Sequence, residues 1–163
     1  ISITFTKDFQ SGEIMSIYDF VQKTKEQKRK LVIFAGNNYG DGISRNWAAK
    51  ATKLIGVKAI IAKSFKNTHR INLLSMGVLP LQFLDDDIES LNLRGDELIT
   101  IKTSDIKLKD KIELEIRRGS DLITILVQSL IQTEKELLYY KNGGVLAFVL
   151  KNLIENNSSY EAK

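Results

Sequence analysis

Apolar and polar positions divide the chain into two halves with different rhythms. Residues 1–6 alternate with the period of a half-buried strand. Ser11 then precedes an amphipathic stretch over residues 13–27, whose inner side would hold Met15, Tyr18, Phe20 and Val21, with Ser11 as the expected cap. Residues 31–35, 57–62 and 78–83 are short apolar runs, too short for helices and of the kind that doubly covered strands show. Between them, residues 44–55 and 64–76 read as helices stopped by Gly56 and Gly77. Strand–helix–strand–helix–strand is the signature of a parallel sheet with crossover helices.

After an acidic turn at residues 85–87 the rhythm changes. Strand-like runs appear at residues 98–103, 111–117 and 122–127, and Arg118-Gly119-Ser120-Asp121 between the last two reads as a hairpin connection. A helix over residues 134–141 precedes Asn142-Gly143-Gly144, and residues 145–154 form a strongly apolar last helix. The expected fold class is α/β, with a parallel β-α-β-α-β core and an antiparallel addition. One compact unit would span residues 1–155, and the polar residues 156–163 would fray as a tail.

Composition narrows the chemistry. The 163 residues contain no Cys and a single His, so the chain has no disulfide, no thiolate metal site and no multi-histidine site of its own. The longest apolar candidate for a membrane span, residues 54–62, is short and interrupted by Lys58. With no leader pattern, a cytoplasmic protein is expected. The lack of a starting Met suits a processed or excised piece of something longer. The net charge is +4 and the pI about 9.2. Lys23, Lys25, Lys28, Arg29 and Lys30 cluster where a helix should end; they suit the helix dipole better than a nucleic-acid patch, because no aromatic residue is interleaved.

The informative segment is residues 31–50, LVIFAGNNYGDGISRNWAAK. A strand runs into a glycine-spaced loop and then a helix, which places unpaired backbone N–H groups at the helix mouth. Gly40 and Gly42 permit backbone conformations and approaches that a Cβ would block. Ser44 would add a hydroxyl, and Arg45 a planar fork able to grip a carboxylate with two hydrogen bonds. The loop is neither G-x-G-x-x-G nor a Walker A sequence. The same residues also describe a tight strand–helix turn with a solvated arginine, and spacing alone does not separate the two.

This segment resembles the C-terminal swivel domain of the aconitase family, whose pattern runs V-I-A-G-x-x-Y-G-x-G-S-S-R-D-W-A-A-K. The likeness continues through Gly56-Val-Lys-Ala-Ile-Ile-Ala-Lys-Ser-Phe65, His69-Arg70, Asn72-Leu73 and the stretch from Met76 to Phe83. It extends back to residues 11–19 and forward to residues 136–150, where Tyr139-Tyr140-Lys-Asn-Gly-Gly144 is again typical. The bacterial aconitate hydratase and iron-regulatory-protein branch is the most similar. The resemblance implies a three-layer swivelling β/β/α domain, also found in isopropylmalate isomerase small subunits. It implies reversible dehydration and rehydration of citrate and isocitrate, with a [4Fe–4S] cluster held by cysteines of other domains on the same or another chain. It further implies that Ser44 holds substrate and Arg45 clamps a carboxylate, beside Gly40 and Gly42.

Departures from the pattern gather around that site. Ile43 stands where the family has its serine base, and an isoleucine has no proton to exchange. Asn46 replaces the usual Asp, Ala51 a common Gly, Lys66-Asn67-Thr68 the usual Glu-Arg-Ile, and Ile71 a common Ser. The resemblance also implies an N-terminal start and a further substrate arginine that these 163 residues lack, and that part is expected on another polypeptide, removed, or missing. The isolated chain is therefore expected to bind a polycarboxylate and to be inactive alone. An RNA-binding module of the iron-regulatory type, or a non-catalytic remnant, is the alternative.

Elsewhere, His69 is expected to be structural, bonded to a carboxylate or backbone group, and Arg70 a solvated helix cation. Trp47 and Tyr39 should pack against the loop. Residues 85–87 lack the spacing of a calcium site. Gly143-Gly144 should let the last helix pack closely.

Overall fold

A computed structural model describes residues 5–8, 10–43 and 45–158; for Arg45 and residues 156–158 it describes the backbone only. Strand β1 (Phe5–Lys7) pairs antiparallel with β2 (Ile14–Ser16), and α1 (Ile17–Glu26) follows at once. The expected cap is corrected here. Ser11 sits in the turn between β1 and β2 and donates to Asp8 at 3.2 Å. Ser16 caps α1: its Oγ accepts from Asp19 N at 3.0 Å and donates to the Asp19 carboxylate at 2.6 Å. Because the helix starts at Ile17, Val21 is buried and Tyr18 faces outward. Residues 1–4 of the first expected strand lie outside the described residues.

The crossover half of the reading holds. Strands β3 (Leu31–Ala35), β4 (Val57–Ala62) and β5 (Leu79–Phe83) are parallel, linked by α2 (Arg45–Leu54) and α3 (Asn67–Ser75). Next come β6 (Leu98–Ile101), β7 (Lys111–Arg118) and β8 (Asp121–Ser129), then α4 (Glu134–Lys141) and α5 (Val145–Ser158). All six strands from β3 onward share one sheet, in the order β3-β4-β5-β8-β7-β6, with β8 antiparallel to β5. A two-residue turn closes β7 onto β8, with Arg118 opposite Asp121 and Gly119 at φ 58° as its first central residue. The antiparallel addition thus extends the parallel sheet.

Position in the sheet explains burial. Central β4 is apolar at five of its six positions and almost wholly buried, whereas β3 is half-buried throughout because it forms one edge. One face carries Leu31, Ile33 and Ile60 against Ala49 of α2 and Leu73 of α3. The other gathers Val32, Phe34, Ile61, Leu81 and Phe83 with Leu114, Ile116 and Val127 of the antiparallel half. Each fully buried Ile or Leu there contributes about 2 kcal/mol from apolar burial.

Two junctions differ from the sequence reading. Helix α3 begins at Asn67 rather than residue 64, because Tyr39 and Phe65 form a further parallel bridge that holds residues 64–66 extended. Gly143 and Gly144 bring the end of α4 onto the α3–β5 turn. A Cβ on Gly144 would lie 2.8 Å from the Ser75 carbonyl, and one on Gly77 would run into the Gly143 backbone. The glycines therefore serve α4 and α3, while α5 leaves Leu146, Leu150, Leu153 and Ile154 exposed.

Candidate functional site

Residues 36–43 cross from the carboxyl end of β3 to the mouth of α2, the place where open α/β sheets hold ligands. The loop is fastened on one side. Asn38 N donates to Ser64 Oγ at 2.7 Å, Tyr39 N to Ser64 O at 2.9 Å, and Lys66 N to Tyr39 O at 3.0 Å. Asn38 at φ 54° and Gly40 at φ 83° then turn the chain, with Asp41 N donating to Asn38 O. The N–H groups of Gly40, Gly42 and Ile43 find no acceptor among the described residues. They lie just ahead of the first turn of α2, whose own first amides have no partner within the helix.

Tyr39 is the loop's anchor. Its ring meets Phe65 edge-on at 5.8 Å and His69 at 5.5 Å, and its hydroxyl contacts Thr52 of α2. Burial pushes the Tyr39 phenol upward, so it stays protonated. His69 is only 4% exposed, and burial lowers its pKa, which favours the neutral ring. Among the described residues its contacts are aromatic and glycyl: a Cβ on Gly40 would overlap the imidazole. The expected carboxylate or backbone partner is replaced by packing.

Arg70 corrects the sequence reading more strongly. It is 5% exposed and fully engaged: Nε donates to Asn67 Oδ1 at 3.0 Å, Nη1 to Leu130 O at 2.8 Å and Nη2 to Glu136 Oε1 at 2.9 Å. Glu136 also closes the capping box of α4 with Thr133. Burial alone would raise the Glu136 carboxyl; the Arg70 guanidinium and the Gln132 and Thr133 N–H groups outweigh it and hold it below the ordinary range. This pair locks α3, and with it the floor of the loop, to α4.

The remaining expected residues divide. Gly40 stands in the loop at φ 83° with a Cβ position filled by His69, whereas the expected need for a glycine at 42 is corrected, since a Cβ there would meet open space; Ile43 is 98% exposed at the loop's tip. Ser44 lies outside the described residues, and Arg45 is placed by its backbone as the first residue of α2. Trp47 does not pack on the loop. It is 74% exposed in the first turn of α2, with Lys50 Nζ 5.1 Å from its ring. On the other side of residues 36–37, a hollow of about 110 Å³ is bounded by Lys63, Ile88 and Glu89. Lys63 pairs with Asp87 at 2.7 Å, so the acidic turn that reads as solvated supplies a counterion beside the loop. That link joins residues 24 apart, which no local pattern could reveal.

Fold and loop together define an α/β domain that offers free amide donors beyond the carboxyl end of an edge strand. Residues 2–86 match the Aconitase C-terminal domain family, and the chain belongs to that family. It is 46% identical over 152 residues to aconitate hydratase A of Bradyrhizobium diazoefficiens, covering 91% of this chain. It is 39% identical over 156 residues to aconitate hydratase A of Bacillus subtilis, covering 94% of this chain. In both cases it spans 17% of the relative's length. The fold is shared with the crystal structure of a 3-isopropylmalate dehydratase from Methanocaldococcus jannaschii. The TM-score is 0.56 at 22% identity, over 89% of this chain and 83% of that one.

Metal ligands are scarce among the described residues. The sequence has no Cys, and the described residues hold no group of three His, Asp or Glu side chains able to bind a metal ion. No helix of the described residues is long and apolar enough to cross a membrane.

Proposed function

We propose that this chain is the swivel domain of an aconitate hydratase-type hydro-lyase that interconverts citrate and isocitrate through cis-aconitate. The observation that carries the reading is the set of N–H groups of Gly40, Gly42 and Ile43, which have no acceptor among the described residues, ahead of α2 with Arg45 as that helix's first residue. A substrate carboxylate would accept from those amides, where the helix dipole also favours an anion. The Arg45 guanidinium would grip the same or a second carboxylate with its two-pronged fork, and Ser44 would hold a further oxygen. In this reading a [4Fe–4S] cluster belongs to other domains, on the same or another chain, and supplies Lewis-acid assistance to the departing hydroxyl.

Ile43 sets the limit of the activity. Its side chain has no group that exchanges a proton, so the carbon acid of the substrate would have no base at this position. The chain alone therefore binds without turnover. Ile43 and Trp47, both exposed beside the α2 mouth, suit a surface that a cluster-bearing domain covers on closure. A cytoplasmic location accompanies this reading.

The test is Ile43→Ser in the complete protein that carries this segment, followed by the hydration rate of cis-aconitate. Restoring a base should raise the rate by about a hundredfold or more. An unchanged rate, or turnover by the isolated 163-residue chain, would contradict the assignment of residue 43.

A further inference from the structure

A second hollow among the described residues lies away from that loop. It lies at the amino ends of the parallel strands, across the sheet from residues 36–43, and measures about 510 Å³. Lys53 reaches it from the last turn of α2, Lys58 from the start of β4 and Lys141 from the end of α4. No carboxylate lines it. Among the described residues, none of the three lysines forms an ion pair with an acid. Lys53 Nζ donates to the Gly143 carbonyl at 3.4 Å.

Lysines at helix ends have an ordinary use, which is to offset the negative pole of the helix dipole. Helices α2, α3 and α4 all end at this hollow, so magnitudes must decide. Each uncapped pole is worth roughly half a negative charge, about −1.5 for three, against three full positive charges. The poles are also largely capped. Ile55 N and Gly56 N bond back onto α2, Met76 N, Gly77 N and Val78 N onto α3, and Asn142 N, Gly143 N and Gly144 N onto α4. A positive surplus remains in a concave site. The Lys53 ammonium responds to it: burial, and then the Lys58 charge, depress its pKa.

Neutral donors complete the lining. Thr103 and Tyr140 hydroxyls meet each other at the wall, while Ser104 Oγ is turned toward Asp105 at 3.4 Å. Ammonium groups act as point charges on rotatable stems and suit a tetrahedral oxyanion, whose oxygens diverge. We propose that this cleft binds a phosphoryl-bearing small molecule of about the size of pyrophosphate or larger, at a site separate from the carboxylate loop. Gly77 and Gly143, in backbone contact, form its floor.

Inorganic pyrophosphate is the probe, titrated into the isotope-labelled chain and followed by amide chemical shifts. Saturable shifts are expected at Lys53, Lys58, Thr103, Tyr140 and Gly143, and they should weaken as salt rises. Lys58→Gln, a change on an exposed strand position that leaves the core intact, should weaken binding by about fivefold to tenfold. Lys151→Gln on α5 should leave it unchanged. Shifts that fail to saturate, equal affinity in Lys58→Gln, or displacement of pyrophosphate by equimolar citrate would each overturn the proposal. Because the readout sits at the far end of the sheet, it is independent of whether citrate binds at residues 40–45.

Discussion

The imidazole of His69 occupies the space that a side chain on Gly40 would need. One residue is in the loop and the other on α3, so the helix directly dictates the path of the loop. Gly40 also lies at φ 83°, a conformation costing an L-residue about 1–2 kcal/mol. Gly40→Ala should therefore destabilise the domain by about 2–4 kcal/mol, strain and overpacking together. Citrate affinity should fall with it, because Gly42 and Ile43 would be displaced. Thermal denaturation and a citrate titration of the same protein check both. A fully stable variant with normal affinity would show that His69 yields freely.

Arg70 and Glu136 offer a cleaner test of packing. Arg70→Met keeps the volume but leaves the Glu136 carboxylate and the Leu130 carbonyl without their donor, at a cost of about 3 kcal/mol in denaturant unfolding. Glu136→Gln should cost less, since Gln retains an acceptor for Arg70 and for the α4 cap. The double variant should be less destabilised than the sum, because the two residues act as one unit.

Acid should unfold the protein in a definite window. Lys23 at 2.8 Å, with the Gln10 N–H and Ser11 hydroxyl, holds the Asp8 carboxyl down at about 2 against the opposing effect of burial. Lys63 does the same for Asp87, also about 2. At Glu97, burial is outweighed by the Arg94 N–H and the Arg118 guanidinium, and its carboxyl again lies at about 2. Depressed carboxyls contribute stability above their unfolded values, and that contribution is lost as protons bind. Stability should be flat above about pH 5 and fall steeply from about pH 4 toward pH 2. Asp8→Asn should flatten part of that slope; an unaltered acid limb would remove Asp8 from the explanation.

Gly144→Ala should be costly for a backbone reason. Its φ of 122° excludes ordinary side chains, and a Cβ would press on the Ser75 carbonyl. A loss of about 2–3 kcal/mol is expected from the strained conformation and the close contact. Gly42→Ala, where a Cβ would meet open space, should be tolerated by the fold. Paired melting curves distinguish the two glycines.

Much of the fold was legible because its signals are local. The five apolar residues from Leu31 to Ala35, Gly56 and Gly77 after helices, and Gly119-Ser120 between alternating runs each state their element within a few residues. Long-range ties were not. Arg70 reads as a solvated cation until α4, 66 residues later, delivers Glu136. Ser16 was hidden behind Ser11, although Ser16-Ile17-Tyr18-Asp19 carries the acid three residues on that Ser11 lacks. His69 looked like a residue needing a polar partner, but Gly40 and Tyr39 supply a packed pocket instead. In the loop, the glycine spacing pointed to a strand–helix turn but did not by itself separate an anion site from a plain tight turn. The Lys63–Asp87 pair beside it required the sheet.

Calorimetric titration of citrate into the isolated chain, run beside Arg45→Ala, bears on the loop's role without any other domain. Saturable heat from the parent chain and its loss in Arg45→Ala are expected, with affinity lower by about tenfold or more. Identical heats from the two proteins, or no heat from either, would mean that the amides before α2 and the first residue of that helix do not receive a carboxylate.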